Sequence, residues 1–383
     1  MDADVAVVGL GTMGSMAVWR LSQESSLRVL GFEQFGFGHA HGSASGESRL
    51  FRVAYHEDAR FVPFLVKARA LWQELANTSG REIFLPTGTL SIGDHNAPQL
   101  KNVFASIEQY ELPHEILDES ELSRRFPQHK LFGGEVGVLD HLGGGLRPEL
   151  AVTSAIERAQ EGGADLHLYT AVTEICFEDD GVHLVTADKT YVVGKVIIAA
   201  GAWSERLVPD LKKSLVVKPL LLTWFTPRNL SDFAPDVFPT FIRDTQDFHI
   251  YGAPVLDGFS VKISVNDIFP AIEDADALER YFAPEIVSEI GHRVMELVPG
   301  VFPEPARHTV HLDAYLPDRN PIIGCFEHSM RGIVLAVFSG HGFKFAPVIG
   351  EIAARWVTGE VIDFDLEIFA PSRVLGATAG TSR

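Results

Sequence analysis

The chain has 383 residues, which is enough for two domains with their own cores, and its hydrophobic fraction of 46% is that of a globular protein. The formal net charge of −19 argues against nucleic acids and anionic membrane surfaces as partners. Two cysteines cannot form a disulfide framework, no uncharged apolar run is long enough to span a membrane, and Asp2 and Asp4 stand where a signal peptide would be basic, so we expect a cytoplasmic protein.

The first elements read as a strand, a glycine turn, a helix and a second strand. An apolar strand at 4–8 leads into Gly9-Leu10-Gly11-Thr12-Met13-Gly14, and a second apolar run ends at Glu33. Gly9 allows the turn, Gly11 lets the backbone approach a pyrophosphate, and Gly14 lets the helix pack on the strand. The helix, predicted over 13–22, would meet the phosphates with free N–H groups, and Glu33 would bind the ribose hydroxyls. The motif predicts a dinucleotide but does not distinguish FAD from NAD.

Later segments alternate between helical and strand patterns. Residues 36–48 are rich in glycine, serine and alanine, which predicts a long loop beside the cofactor motif. The other predicted elements are a helix over 60–77, a strand pair over 83–92, a helix over 147–159, a strand over 164–169, an antiparallel meander over 172–193, a buried parallel strand over 195–204 that ends in a turn of small residues, strand-rich segments at 216–225 and 236–265, a mostly helical segment at 273–297, a buried strand over 332–338 and a helix over 347–358.

These elements predict an α/β fold in which a Rossmann-like dinucleotide-binding domain is interleaved with an antiparallel-sheet substrate domain. The nucleotide-binding elements come from separated stretches of the chain, with the sheet-rich domain threaded between them. We assign 1–80, 145–215 and 305–383 to the first domain, and 81–144 and 216–304 to the substrate domain.

Four signatures resemble the sarcosine oxidase family of FAD-dependent amine oxidases. They are the N-terminal glycine motif, the run from Gly42 to Arg52, the turn Ala199-Ala200-Gly201-Ala202-Trp203, and Phe338-Ser339-Gly340-His341-Gly342-Phe343-Lys344, which is the most specific. The resemblance covers nearly the whole chain in the family's order and spacing. It implies an FAD-binding domain, FAD rather than NAD, dioxygen as the electron acceptor, and a small secondary amine that carries a carboxylate as the substrate.

The resemblance also implies roles for individual residues. Lys262 corresponds to the lysine that activates oxygen, Arg49 to a basic residue beside the flavin, Tyr251 to a pocket tyrosine and His341 to a pocket histidine. The substrate-binding residues that it implies are Arg52, Lys344, Tyr251 and Asn266, the last standing where the family has a histidine. The implied cofactor-binding residues are Gly9, Gly11, Thr12, Met13, Gly14, Glu33, Gln34, Ser43, Ser48, Arg49, Val172, Ala200, Gly201, Trp203, His311, Gly340, Gly342, Phe343 and Lys344.

A second departure from the family concerns the bond to the flavin. His311 stands where the family has the cysteine that attaches the flavin covalently, and neither Cys176 nor Cys325 lies where it could replace that cysteine. We therefore expect FAD to be bound without a covalent link, with a histidyl bond at His311 as the alternative. The histidines show no spacing typical of a metal site, so we predict no metal.

The residue chemistry supports a carboxylate site but leaves other readings open. Arg52 offers two parallel donors to a carboxylate and Lys344 adds a point charge, although each could instead form a structural ion pair. Lys262 alternates with apolar residues along a strand and shares its face with two serines, which by itself favours an exposed strand face. Near a flavin, however, this cation would stabilise superoxide as it forms.

Three functions are compatible with these residues. The first is oxidation of an N-alkyl or cyclic secondary α-amino acid, which gives an imine and hydrogen peroxide. The second is oxidation of a fructosyl amino acid, which the same fold and a similar glycine–lysine loop would serve. The third is a catalytically silent flavin-binding subunit, against which the pairing of Arg52 with Lys344 argues.

Overall fold

A computed structural model describes residues 1–245, 248–265, 268–326, 330–336 and 338–375. Its strands are β1 (Ala3–Val8), β2 (Val29–Phe32), β3 (Arg49–Phe51), β4 (Phe84–Leu85), β5 (Thr89–Asp94), β6 (His114–Leu117), β7 (Glu135–Asp140), β8 (Gly144–Leu146), β9 (Asp165–His167), β10 (Glu174–Glu178), β11 (Gly181–Val185), β12 (Thr190–Ile198), β13 (Val216–Pro227), β14 (Thr240–Asp244), β15 (His249–Ala253), β16 (Val261–Val265), β17 (Val301–Tyr315), β18 (Ile322–Cys325) and β19 (Gly332–Ala336).

Its α-helices are α1 (Thr12–Leu21), α2 (Val62–Ser79), α3 (Pro98–Tyr110), α4 (Glu119–Arg125), α5 (Pro148–Glu161), α6 (Ser204–Leu207), α7 (Pro284–Leu297), α8 (Ala346–Thr358) and α9 (Ser372–Leu375). Short 3₁₀ helices, among them Ala59–Phe61 before α2 and Phe343–Phe345 before α8, lead into several of them. None of the described helices is long and apolar enough to cross a lipid bilayer.

The first sheet has the Rossmann-like architecture that the sequence predicts. β1 lies at its centre, parallel to β2 on one side and to β12 on the other, and β9 and β19 extend the parallel set. The meander of β10, β11 and the start of β12 is antiparallel, which confirms the prediction for that segment. Helices α1, α5 and α8 bury their apolar faces in one core with the sheet. The predicted α/β fold is therefore correct.

A second sheet, in the order β17-β13-β16-β15-β14-β5-β7-β6, is largely antiparallel, and β3, β8 and β4 form a small third sheet. The predicted strand pair over 83–92 is wrong as a pair, because β4 joins β8 whereas β5 joins β7 and β14. The chain turns from one sheet to the other at Pro86 and Gly88. The φ angle of Gly88 is +74°, which glycine adopts readily.

The prediction that 273–297 is mostly helical is correct only for its second half. Helix α7 begins at Pro284, and before it the structure has only a 3₁₀ turn at Ala275–Ala277. Proline fits the first turn of a helix, where its missing N–H costs nothing, but it disfavours helical geometry in the residue before it. A proline therefore marks the start of this helix rather than its interior.

Candidate functional site

A cavity of about 1010 Å³ begins at the carboxyl ends of β1 and β2 and continues to residues of β14 and β15 in the second sheet. In a parallel sheet, ligands bind in the crevice beyond the carboxyl ends of the strands. The nucleotide-binding motif and the candidate substrate residues therefore line one continuous space.

The glycine motif forms a tight cradle at one end of this cavity. Gly9 has a φ of +89°, and a Cβ built there would lie 2.6 Å from the carbonyl oxygen of Ala199. A Cβ at Gly14 would lie 1.7 Å from the carbonyl oxygen of Gly9, so the helix packs on the turn only because both residues are glycine. A Cβ at Gly11, in contrast, would meet no other atom of the described chain within 4 Å, because Gly11 faces the cavity.

Two further observations show that this end fits a dinucleotide. The Oγ1 atom of Thr12, in the first turn of α1, is buried and has no hydrogen-bond partner among the described residues. Glu33 accepts hydrogen bonds from the N–H groups of Leu10 (2.8 Å) and Phe35 (3.0 Å). Burial opposes ionisation of Glu33, but these bonds and His39 hold its pKa below the usual value. The turn thus offers a buried carboxylate for ribose hydroxyls and free donors at a helix N-terminus for phosphates.

Most of the predicted cofactor residues lie on the cavity wall. Besides the residues above, the wall includes Met13, Gln34, Ser43, Arg49, Val172, Ala200, Gly201, Trp203, Gly340, Gly342, Phe343 and Lys344. Gly14, Ser48 and His311 do not line it. Gly14 acts through helix packing, as the motif predicts, whereas Ser48 and His311 lie behind the wall.

The segment 43–48, which we call the cation-held loop, follows the cofactor motif and is fixed by two cations. Arg49 donates to the carbonyl oxygens of Ser43 (2.8 Å), Ser45 (2.5 Å) and Ser48 (2.8 Å). Lys262 donates to the carbonyl oxygens of Gly46 and Ser48, both at 2.8 Å. The loop needs such donors because its backbone forms no regular sheet or helix.

Lys262 itself lies behind the cation-held loop rather than on the cavity wall. All five residues of β16 are buried, so the reading of this strand face as exposed is wrong. Burial, together with the charge of Arg49, holds the pKa of Lys262 well below its usual value. The lysine reaches the cavity only through the loop that it supports.

His311 is buried against the same loop. Its Nδ1 lies 3.1 Å from Ser45 Oγ and its Nε2 lies 2.8 Å from Thr309 Oγ1, so both ring nitrogens are engaged. Burial, reinforced by Arg49 and Lys262, lowers its pKa to about 3, which keeps the ring neutral. His311 is not among the residues that line the cavity, so its place beside the cofactor stays a prediction.

The two predicted carboxylate-binding cations both lie on the cavity wall. Arg52 contacts Glu57 through Nη2 at 3.0 and 3.1 Å, while its Nε is buried without a partner among the described residues. Lys344 donates to the carbonyl oxygen of His341 at 2.6 Å. Burial, together with the charge of Arg52, lowers the pKa of Lys344 to about 7. The cations share this region with the Glu57 carboxylate, whose pKa they hold below its usual value against the effect of burial.

Tyr251 and His341 also line the cavity. Burial raises the pKa of Tyr251 to about 12, so its hydroxyl keeps its proton. Burial lowers the pKa of His341 to about 4. The neutral His341 ring lies between the hydroxyl of Tyr55 (2.7 Å from Nδ1) and the carbonyl oxygen of Arg319 (3.1 Å from Nε2), so Nε2 carries the hydrogen. Asn266 lies outside the described residues.

Several polar residues on the cavity wall were not predicted from the sequence. Glu57 lies five positions after Arg52, and that short spacing could have suggested the pair. Asp313 follows His311 by two residues, so the alternation of a strand would have placed both on one face. His56, Asp244 and His249 form a third group, in which Asp244 lies 2.5 Å from His249 and 3.7 Å from His56. They gave no signal, because loop and sheet contacts bring them together.

Comparison with known proteins confirms the family. Residues 4–356 match the model of the FAD dependent oxidoreductase family. The chain is 33% identical to monomeric sarcosine oxidase of Streptomyces avermitilis (98% of this chain and 99% of that protein) and 32% identical to N-methyl-L-tryptophan oxidase of Yersinia pestis (97% and 100%). The open form of a variant of NikD, an unusual amino acid oxidase, has the same fold, with a TM-score of 0.85, 22% identity, and coverage of 96% and 97%. The chain therefore belongs to the FAD dependent oxidoreductase family and is a flavoenzyme of the sarcosine oxidase type.

Proposed function

We propose that this protein oxidises N-alkyl or cyclic secondary α-amino acids and passes the electrons to dioxygen. The observation that carries the proposal is the presence of Arg52 and Lys344 on one cavity wall, both buried and both acting on the carboxylate of Glu57. The relatives named for sarcosine and N-methyl-L-tryptophan support the substrate class, since both compounds carry a secondary amine beside a carboxylate.

The pairing of Arg52 with Glu57 is compatible with substrate binding. The carboxylate of Glu57 accepts hydrogen bonds from Nη2 of Arg52 but does not use every donor of the guanidinium group, because Nε has no partner among the described residues. Lys344 bonds only to a carbonyl oxygen in the described structure, so it can still take a charged partner. A substrate carboxylate would therefore meet two cations that already tolerate an anion beside them.

The other wall residues would present the amine for oxidation. FAD, when bound, supplies a two-electron acceptor for the carbon next to the nitrogen. Arg49 and Lys344 place positive charge around the amine, which lowers its pKa and favours the neutral form that can be oxidised. Tyr251 keeps its proton and can donate a hydrogen bond to the substrate. The imine product would hydrolyse to a carbonyl compound and a primary amine.

We propose that FAD is held without a covalent bond. Both ring nitrogens of His311 are paired with hydroxyl groups, and the ring does not line the cavity. Acid precipitation of the holoprotein should release yellow flavin into the supernatant. A yellow pellet with a clear supernatant would show a covalent link, with His311→Ala as the variant that locates it.

One observation favours a second candidate substrate, a fructosyl amino acid. The group of His56, Asp244 and His249 lines the cavity together with Gln99, which makes part of the wall polar. Buried hydrogen-bonding groups of this kind suit a substrate with hydroxyl groups better than an alkyl side chain. The same carboxylate site would hold either substrate.

The test is a hydrogen peroxide assay of purified holoprotein with N-methyl amino acids, cyclic imino acids and fructosyl amino acids. We expect peroxide from at least one N-methyl or cyclic substrate, and little from the corresponding amines without a carboxylate. Peroxide from fructosyl amino acids alone would establish the second candidate. A flavin-containing protein that releases no peroxide with any member of the panel would contradict both.

A further inference from the structure

The strand β17 presents a carboxylate to the cavity beside the proposed substrate site. Leu312, Asp313 and Ala314 of β17 line the cavity, and Leu312 and Ala314 also belong to the apolar core. Asp313 lines the cavity and is half-buried, so part of its surface faces the cavity. The proposed function assigns no role to the Asp313 carboxylate.

Hydrogen bonds hold the Asp313 carboxylate in place. Oδ1 accepts from the N–H of Ala314 at 2.9 Å, and Oδ2 accepts from the hydroxyl of Tyr315 at 3.2 Å. Gly340 also lies close to the carboxylate, since a Cβ built there would be 3.3 Å from Oδ2. Gly340 belongs to the loop that carries His341 and Lys344, so Asp313 lies beside the loop that supplies one of the carboxylate-binding cations.

The charge of Asp313 is unmatched, which sets it apart from the other carboxylates on the wall. Within the described part of the chain, no arginine, lysine or histidine lies within ion-pair distance of Asp313, and its only hydrogen-bond donors are neutral. An arginine or histidine lies 2.5–3.4 Å from each of the others, which are Glu33, Glu57, Asp58, Asp244 and Asp318. A half-buried carboxylate without a cation fits a ligand that brings its own positive charge.

We propose that Asp313 binds the protonated nitrogen of the substrate and then accepts its proton. The inference rests on the proposed function and deepens it, because the cavity would recognise both charged groups of a zwitterionic amino acid. Arg52 and Lys344 would take the carboxylate, and Asp313 would take the ammonium group. In the transfer the N–H bond breaks, an O–H bond forms on Asp313, and the electron pair stays on the nitrogen, where oxidation of the neighbouring carbon requires it.

The surroundings of Asp313 suit a proton acceptor. Burial raises its pKa to about 6, although Arg49 and the hydrogen bonds oppose this shift. An acceptor with such a pKa is ionised at neutral pH but takes a proton more readily than an ordinary aspartate. The titratable and charged side chains on the elements around it are Arg49 on β3, Lys218 on β13, Tyr251 on β15, His341 and Lys344 on the loop of Gly340, and His311 and Tyr315 on its own strand.

The test compares two ligands of the same shape and different charge. Sarcosine carries an ammonium group where butanoate has a methylene, and both carry the carboxylate. Binding to anaerobic holoprotein is followed by stopped-flow absorbance, as the rapid change in the oxidised flavin spectrum that precedes any reduction. For Asp313→Asn, we expect sarcosine to bind about 30-fold more weakly than to the wild type, with butanoate binding changed by less than about threefold. Equal losses for both ligands, or no loss for sarcosine, would overturn the proposal.

A pH profile separates this role from a structural one. In the wild type, the rate of anaerobic flavin reduction divided by the sarcosine dissociation constant should fall as the pH drops through about 6, because protonated Asp313 can neither hold the ammonium nor accept its proton. Asp313→Asn should lack this limb, and Asp313→Ser provides a second variant if the amide does not fold. An unchanged limb would overturn the role of Asp313.

Failure of the proposed function would look different. It would appear as the absence of flavin reduction by every N-alkyl amino acid in the wild type itself. The comparison of sarcosine with butanoate measures binding alone, so it would still decide whether Asp313 recognises the ammonium group.

Discussion

At the scale of single residues, the site depends on buried cations whose pKa values are lowered by burial. Lys344, Lys262 and Arg49 all have pKa values lowered by burial, and in Lys344 the value comes down to about 7. A buried cation that lacks a full counter-charge attracts an anion strongly, because little solvent screens it. The cavity therefore favours a ligand with a carboxylate, provided that the lysine is protonated.

Binding of a carboxylate should follow the protonation of Lys344. The charged lysine is fully present below its pKa and is lost as the pH rises through about 7, so the dissociation constant of butanoate should rise above that pH. Lys344→Met should weaken butanoate binding about 30-fold at pH 6 and remove this pH dependence. Flavin absorbance titrations measure both effects, with Lys67→Met as a control, since Lys67 pairs with Glu351 away from the cavity wall. A pH dependence retained in Lys344→Met would assign it to another group.

Lys262→Met should slow the oxidative half-reaction more than the reductive one. A cation near the flavin stabilises superoxide as it forms, so we expect reoxidation by dioxygen to slow by about 100-fold while anaerobic reduction changes little. Stopped-flow absorbance measures the two half-reactions separately. The matched control is Lys195→Met, because Lys195 also donates to backbone carbonyl oxygens, those of Val357 and Trp356, but does not line the cavity. Equal slowing of both half-reactions would show that Lys262 only supports the cation-held loop.

At the scale of elements, the turn between β1 and α1 and the cation-held loop determine where the cofactor can lie. The turn relies on glycines for two separate reasons, since Gly9 and Gly14 let the chain pack on itself whereas Gly11 leaves space open toward the cavity. The loop relies on donors from distant elements, because Arg49 comes from β3 and Lys262 from β16. Packing of the second sheet is thereby coupled to the shape of the cofactor site.

The two glycines should separate folding from cofactor binding. Gly14→Ala places a Cβ 1.7 Å from a backbone oxygen, so the apoprotein should lose at least about 2 kcal/mol of stability. Gly11→Ala meets no atom of the described chain within 4 Å, so the apoprotein should keep its stability but lose affinity for FAD where the pyrophosphate must approach. Thermal unfolding and flavin fluorescence titration measure the two quantities. Normal FAD affinity in Gly11→Ala would place the phosphates elsewhere.

At the scale of the whole molecule, the parts of the fold that the sequence predicts are those with local signals. The glycine turn, the apolar runs of β1, β2, β12 and β19, and helix α8 are visible within short windows of sequence. β17 was not predicted, because its first half contains Pro303 and Pro305, and its partner β13 lies far away in the chain. Strands of this kind are specified by their neighbours rather than by their own composition.

The candidate site shows the same division. Some residues on the cavity wall, such as Gly340 and Lys344, belong to a glycine-rich motif. These residues were predicted from the sequence. The burial of Lys262 and His311 behind the cation-held loop was not predictable, because it depends on how the second sheet packs against that loop. The unmatched charge of Asp313 likewise becomes visible only when all its neighbours are known.

Acid should destabilise the molecule partly through buried neutral histidines. His129 is buried between Phe238 and Phe241, neither of its ring nitrogens has a partner among the described residues, and burial lowers its pKa to about 3. Below about pH 6.5, His129 is protonated in the unfolded chain but stays neutral in the folded protein. The free energy of unfolding therefore falls as the pH drops from about 6.5 to about 3. His56 and His311 contribute in the same direction.

His129→Leu should raise the stability of the protein and flatten this dependence. The substitution removes two unpaired polar atoms, and it should reduce the slope of unfolding free energy against pH by up to about 1.4 kcal/mol per pH unit between pH 6 and 4. Urea unfolding of the apoprotein, followed by tryptophan fluorescence, measures the slope. His292→Leu, at an exposed histidine of α7, serves as the control. An unchanged slope in His129→Leu would show that other groups cause the acid sensitivity.

The central claim is that Arg52 and Lys344 hold the substrate by its carboxylate while the nitrogen beside it faces the flavin. The most direct measurement is the rate of anaerobic flavin reduction by the most active N-methyl amino acid and by the amine that remains when its carboxylate is removed. We predict that the acid reduces the flavin at least about 1000-fold more efficiently, and that Arg52→Met combined with Lys344→Met removes most of this preference. Equal efficiency of the two compounds in the wild type, or a preference that survives the loss of both cations, would contradict the account.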